Sequence, residues 1–120
     1  MKLREITFPD QPPIDSYGPG GFRIGGDWHA GSLVVGPSGI RGIAMPLTPE
    51  TIAPVLAMAA EVDVVLVGQG AEIAPLPAKL RAQFDEAGMG VEIMATPSAC
   101  RTYNVLLAEE RRVAAILAAL

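Results

Sequence analysis

Two patterns of apolar and polar positions divide the chain near Thr48. Before it, apolar residues come in short clusters, Phe22-Arg23-Ile24, Ser32-Leu33-Val34-Val35 and Ile40-Arg41-Gly42-Ile43-Ala44. Glycine and proline separate them at Gly18-Pro19-Gly20-Gly21, Gly25-Gly26-Asp27, Gly31, Gly36-Pro37-Ser38-Gly39 and Gly42. Such pieces between glycine turns predict strands joined as an antiparallel meander. Closer to the amino terminus, Leu3, Ile6 and Phe8 among polar residues predict a short strand. Gln11-Pro12-Pro13 then predicts an extended connection, because proline lacks the N–H a central strand needs.

After Thr48 the spacing becomes helical. Threonine followed by Pro49 is a helix start signal, and Ile52, Val55, Leu56, Ala59 and Ala60 recur on one face. Val62 to Val67 is a near-continuous β-branched run ending at Gly68, the pattern of a strand buried on both faces. Pro75-Leu76-Pro77 opens a second helix, Ala78 to Ala87, with Leu80 and Phe84 one turn apart and Gly88 as its C-cap. Val91 to Ala95 predicts another buried strand, and Thr96-Pro97 begins a helix to about Ala108. Strand, helix, strand is a βαβ unit, which makes the two strands parallel. Arg111 to Leu120 is ambiguous on propensity, since alanine and leucine favour helix whereas Val113 and Ile116 permit a strand.

Length and charge narrow the functional classes. At 120 residues the chain is expected to form one domain, residues 1–120, around one core. A net charge of -4, with nine basic residues scattered, argues against a nucleic-acid footprint. One cysteine and one histidine cannot supply a Cys/His zinc site, and a lone cysteine cannot form an internal disulfide. The apolar run Val113 to Leu120 is far shorter than the roughly 20 residues of a membrane helix. The opening residues show no signal-peptide core, so a cytoplasmic protein without membrane insertion is expected.

Candidate chemistry gathers at the carboxyl ends of the two predicted parallel strands, where α/β sheets place their sites. One end gives Gly68-Gln69-Gly70 and the other Thr96-Pro97-Ser98, so a helix amino terminus is expected to face a glycine loop as an anion cradle. Ile73 breaks the dinucleotide fingerprint, so no cofactor is expected, and a plain turn after the strand is the favoured role of Gly68 and Gly70 over ligand cradling. Cys100 beside Arg101 near a helix start is a candidate thiolate; its plainer role is a small buried packing residue. His29 has no spacing that links it to Cys100 as a base. Ser98, Arg101, Tyr103 and Asn104 complete a polar cluster, with Tyr103 about 100° round the helix from Asn104 and able to point inward. That cluster reads either as a binding surface or as a network tying loop to helix. Trp28-His29 reads as an exposed tip or as the cover of a core edge, and Glu109-Glu110-Arg111-Arg112 as a solvated turn with local pairing.

The blocks Gly21-Phe22-Arg23-Ile24, Gly31-Ser32-Leu33-Val34-Val35, Leu47-Thr48-Pro49-Glu50, Val65-Leu66-Val67-Gly68-Gln69-Gly70 and Met94 to Leu106 resemble a known family in order along nearly the whole chain. It is the Mth-type α/β domain of unknown function found in bacteria and archaea, which also includes mitochondrial respiratory complex I assembly factor three and an adipogenesis-associated homologue. The resemblance implies a three-layer α/β sandwich: a central mostly parallel sheet flanked by helices, and a smaller antiparallel sheet from the amino-terminal half. It also implies a strand from Arg112 to about Ala118. For function it implies a non-enzymatic binding or assembly module that contacts a protein partner, a subunit or assembly component of a membrane complex, around the last helix. An anionic small ligand, or cysteine-dependent chemistry at Gly68 to Gly70 and Thr96 to Arg101, is the alternative.

Overall fold

The first helix begins on a side-chain cap that the other two helices lack. In the computed structural model, which describes residues 11–120, the Thr48 hydroxyl accepts from the Thr51 N–H at 3.1 Å. The Thr51 hydroxyl accepts from the Thr48 N–H at 2.8 Å in return. This reciprocal cap, with Pro49 in the first turn, begins α1 (Pro49–Leu56) at the expected residue. The strand expected at Leu3 to Phe8 lies outside the described residues.

Five strands precede α1: β1 (Ile14–Gly18), β2 (Gly21–Ile24), β3 (Asp27–Ala30), β4 (Leu33–Gly36) and β5 (Gly39–Gly42). After it come β6 (Val64–Gly68), α2 (Ala78–Glu86), β7 (Gly90–Met94), α3 (Thr96–Ala108) and β8 (Val113–Leu117). The expected meander divides between two sheets. β1, β2 and β3 form a small antiparallel sheet, whereas the β4–β5 hairpin joins a five-stranded sheet of order β5-β4-β8-β6-β7. In that central sheet β6 pairs in parallel with both β7 and β8, and β4 pairs antiparallel with β5 and β8. The α/β sandwich with its separate antiparallel sheet is therefore present, and its central sheet is evenly mixed.

The sheet carries a different layer on each face. On one side Val34, Val65, Val67, Ala114 and Ile116 pack against Ile52 and Val55 of α1 and Leu80 and Phe84 of α2. On the other, Leu33, Val35, Leu66, Ala115 and Leu117 meet Ala99, Cys100, Tyr103 and Leu107 of α3 together with Ile14, Phe22 and Ile24 of the small sheet. β8 is the middle strand, and all five of its residues are buried. Each large aliphatic side chain so buried contributes about 1.5–3 kcal/mol, which outweighs the helical preference of its alanines.

Two short strands differ from expectation. β1 buries only Ile14, and β3 buries none of its residues, so neither shows the alternation that marks a strand. Trp28 consequently lies within β3 on the outer face of the small sheet, 45% exposed, with the Arg23 guanidinium 5.8 Å from its ring centre. The indole rests over Gly21, where a Cβ would come 2.7 Å from the ring. The Glu109 to Arg112 turn also differs: Arg112 reaches Asp63 at the start of β6, at 3.0 Å and 3.2 Å, on an exposed surface where such a pair is worth at most about 1 kcal/mol.

α3 ends with Glu110 in the left-handed region, φ 62°, where the Glu110 and Arg111 N–H groups return to the Leu107 and Leu106 carbonyls. Gly88 fills the equivalent position after α2. A side chain held there is strained, so Glu110→Gly is expected to raise the free energy of unfolding by about 0.5–1 kcal/mol, and Glu110→Val to lower it. Urea denaturation of the three proteins checks both signs.

Candidate functional site at the carboxyl edge of the central sheet

Because β6 and β7 are parallel, with Gly68 opposite Met94, the loops that follow them emerge together. They meet as a bonded junction. The Thr96 hydroxyl accepts from the Gly70 N–H at 2.7 Å and donates to the Ala118 carbonyl at 2.8 Å, while the Thr96 N–H donates to the Gly70 carbonyl at 2.9 Å. Gly68 sits beneath, and a Cβ there would come 3.0 Å from both the Thr96 Cα and the Ala99 Cβ. The glycine is required by this close approach, and Thr96 is fully buried with its hydroxyl used twice. Gly68, Gly70 and Thr96 are thus brought together as expected, with their polar groups turned on one another.

α3 sorts the polar cluster by face. Thr96, Ala99, Cys100, Tyr103 and Leu107 form its buried stripe. Burial pushes the Cys100 thiol from 9.0 up to about 11, against a smaller opposing effect of Arg101, so the sulfur is a neutral thiol at neutral pH. Burial likewise lifts the Tyr103 hydroxyl to about 12, and the Gln11 amide that donates to it at 3.1 Å opposes the shift. Arg101 turns outward, its guanidinium 3.4 Å from the Ser98 hydroxyl. Asn104 serves the scaffold, for its side chain accepts from the Ile14 N–H and donates to the Ile14 carbonyl, both at 2.8 Å. The amide thereby occupies the edge of β1 as a paired strand would, and it joins the small sheet to α3.

Open space lies on the opposite face of the same edge. A groove of about 360 Å³ runs between Met45-Pro46-Leu47, Gly68-Gln69 and Leu76-Pro77, with Glu72 among its lining residues. Of the expected site residues it holds Gly68 and Gln69; Gly70, Thr96, Ser98, Cys100, Arg101, Tyr103 and Asn104 stand outside it. Gln69 is itself engaged, accepting from the Ala74 N–H at 2.7 Å. The Met45 wall was not indicated by periodicity; the exposure of Met45 between two irregular stretches is visible only in the fold. Among the described residues no group of three or more His, Cys, Asp or Glu side chains could hold a metal ion, and no helix is long and apolar enough to cross a membrane.

The family described as "Protein of unknown function (DUF498/DUF598)" matches residues 14–118. The chain is 46% identical over 118 residues to an uncharacterized protein of Rhodobacter capsulatus, covering 98% of this chain and 92% of that one. It is 32% identical over 108 residues to NADH dehydrogenase (ubiquinone) 1 alpha subcomplex assembly factor 3 of Danio rerio, covering 87% of this chain and 62% of that protein, so it spans less than two thirds of the assembly factor. Among solved structures it is similar to an outer membrane protein from Bartonella henselae, with TM-score 0.89, 46% identity, and 94% and 98% of the two chains covered.

Two outcomes follow from the α3 geometry. Asn104→Ala leaves both Ile14 backbone groups without their partner and is expected to cost about 2 kcal/mol; Asn104→Asp, which sets a carboxylate against the Ile14 carbonyl, restores none of it, as chemical denaturation can show. The fold keeps Cys100 and Tyr103 neutral, so the unfolded chain releases their protons first. Their stabilisation is complete below pH 9.0, and is lost as pH rises toward about 11 for Cys100 and from 10.0 toward about 12 for Tyr103. Stability measured across that range should fall less steeply in Cys100→Ala.

Proposed function

The chain belongs to the DUF498/DUF598 family of proteins of unknown function, and from that membership we propose that it is a non-enzymatic binding and assembly module. It works in the cytoplasm on a subunit or assembly component of a membrane complex, through protein contacts around α3. The observation that carries this reading is the similarity, across 87% of the chain, to a protein named as an NADH dehydrogenase assembly factor. The division of α3 supports it. The inward face, with Cys100 and Tyr103, holds the two layers together, and the outward face offers Val105, 55% exposed, one turn from Arg101. An exposed apolar side chain beside an arginine is a combination suited to docking.

A second reading, a small ligand at the same sheet edge, draws on the groove beside Gly68 and Gln69. Its walls suit an apolar body. A titration with inorganic phosphate that moves the Gly68 and Gly70 amide resonances would favour an anion instead.

The assembly reading predicts that a tagged chain, crosslinked mildly in its native cell, recovers a membrane-complex subunit. Val105→Asp combined with Arg101→Glu should reduce that recovery at least about tenfold with an unchanged melting temperature. Recovery of the tagged chain alone counts against it.

A further inference from the structure

Among the described residues nothing pairs with the outer edge of the central sheet at β5, and the space beside it has a definite shape. β5 pairs with β4 through Gly36 and Gly39, Val35 and Ile40, Val34 and Arg41, and Leu33 and Gly42. In a hairpin closed by two residues the first pair exchanges both backbone bonds, and exchange then recurs at every second pair. The bond from the Ile43 N–H to the Ser32 carbonyl, at 3.0 Å, follows that alternation. Gly39 and Arg41 therefore turn their backbone groups toward β4. Those of Ile40 and Gly42 point away from it, and among the described residues no strand lies beyond them.

Arg41 is opposite Val34 and shares the face that α1 covers. Two adjoining cavities, about 210 Å³ and 280 Å³, separate β5 from α1, and Val34, Arg41 and Pro54 line both. One extends past Ala57 and Met58 toward Ser38, the other past Ile43 toward Glu50. The arginine thus stands between two largely apolar hollows. The Arg41 guanidinium, like those of Arg81 and Arg111, has no hydrogen-bond or ion-pair partner among the described residues, and of these three it is the one that lines both hollows.

We propose that this edge is a docking site for an extended segment of a partner protein, added to the sheet as a strand beside β5. The segment carries an acidic side chain opposite Arg41 and apolar side chains two residues to either side. Same-face side chains of a strand recur about every 7 Å, which matches a central arginine flanked by two hollows. Ile40 and Gly42 supply the backbone bonds, Arg41 selects the acid, and the cavities receive the apolar groups. A second copy of this chain is a poor occupant: the antiparallel register that uses both Ile40 and Gly42 sets the two Arg41 side chains directly opposite, like charge against like. A wholly apolar strand would cover the guanidinium without pairing it. The site is separate from the outward face of α3, so either surface can fail its test without the other.

The experiment uses the full ¹⁵N-labelled chain and an acetylated, amidated heptapeptide, Thr-Val-Thr-Glu-Thr-Val-Thr. Saturable shifts and slowed exchange at the Ile40 and Gly42 amides are expected, with the central Glu-to-Lys peptide binding about tenfold more weakly. Arg41→Glu should reverse that preference and Arg41→Gln abolish it, the neutral variant serving if the charge reversal does not fold. No response at Ile40 and Gly42 at millimolar peptide, equal binding of the two peptides, or protection of both amides in the free dilute chain overturns the proposal. So does concentration-dependent self-association through those amides.

Discussion

One hydroxyl group joins three elements of this fold. The Thr96 side chain takes a bond from the loop after β6 and gives one to the residue after β8, while its own backbone opens α3. Ala118 is held from both sides, its N–H donating to the Gly68 carbonyl at 2.9 Å and its carbonyl accepting from Thr96. The contact exists only because Gly68 has no side chain. Buried hydroxyls cost free energy unless paired, so this double use fixes the rotamer and with it the direction in which α3 leaves the sheet. The inward positions of Ala99, Cys100 and Tyr103 follow from that direction.

The same geometry explains why a polar cluster in sequence becomes scaffold in space. Cys100, Arg101, Tyr103 and Asn104 are close along the chain, but the helix turns two of them into the core, one to solvent and one to the neighbouring sheet. Reactivity suggested by composition is removed by burial. What remains on the surface is Arg101 and Val105 on α3, and on the far edge of the sheet Arg41, which has no partner among the described residues.

Legibility in the sequence varied with how local the determining interaction was. Thr48-Pro49, Pro77 with Gly88, and Thr96-Pro97 act within one turn, and they marked helix boundaries to within a residue or two. The Val64 to Gly68 run showed itself because both of its faces are buried. β1 and β3 were hidden because their stability comes from one inward residue, Ile14, and from cross-strand pairing with β2, neither of which leaves a period. The β4–β5 hairpin was visible as a hairpin, but local turn chemistry cannot say which sheet it joins; that depends on the pairing of Leu33 with Leu117 across the chain. At the site, parallel strands put Gly68 near Thr96 on paper, whereas the closure between them is a matter of ångströms.

β8 is the last of the described strands in sequence and the middle one in the sheet. Among the described strands it is the one that links the β4–β5 pair to the β6–β7 pair by hydrogen bonds. During translation the two halves leave the ribosome in order yet stay unjoined, each with an open inner edge, until Leu117 has cleared the exit tunnel. At ordinary elongation rates that interval after Gly36 is on the order of ten seconds, a period in which unpaired strands are exposed to association with other chains. Of the described strands, the one that closes the central sheet is therefore the last to be made, and the two inner edges stay unpaired until it arrives.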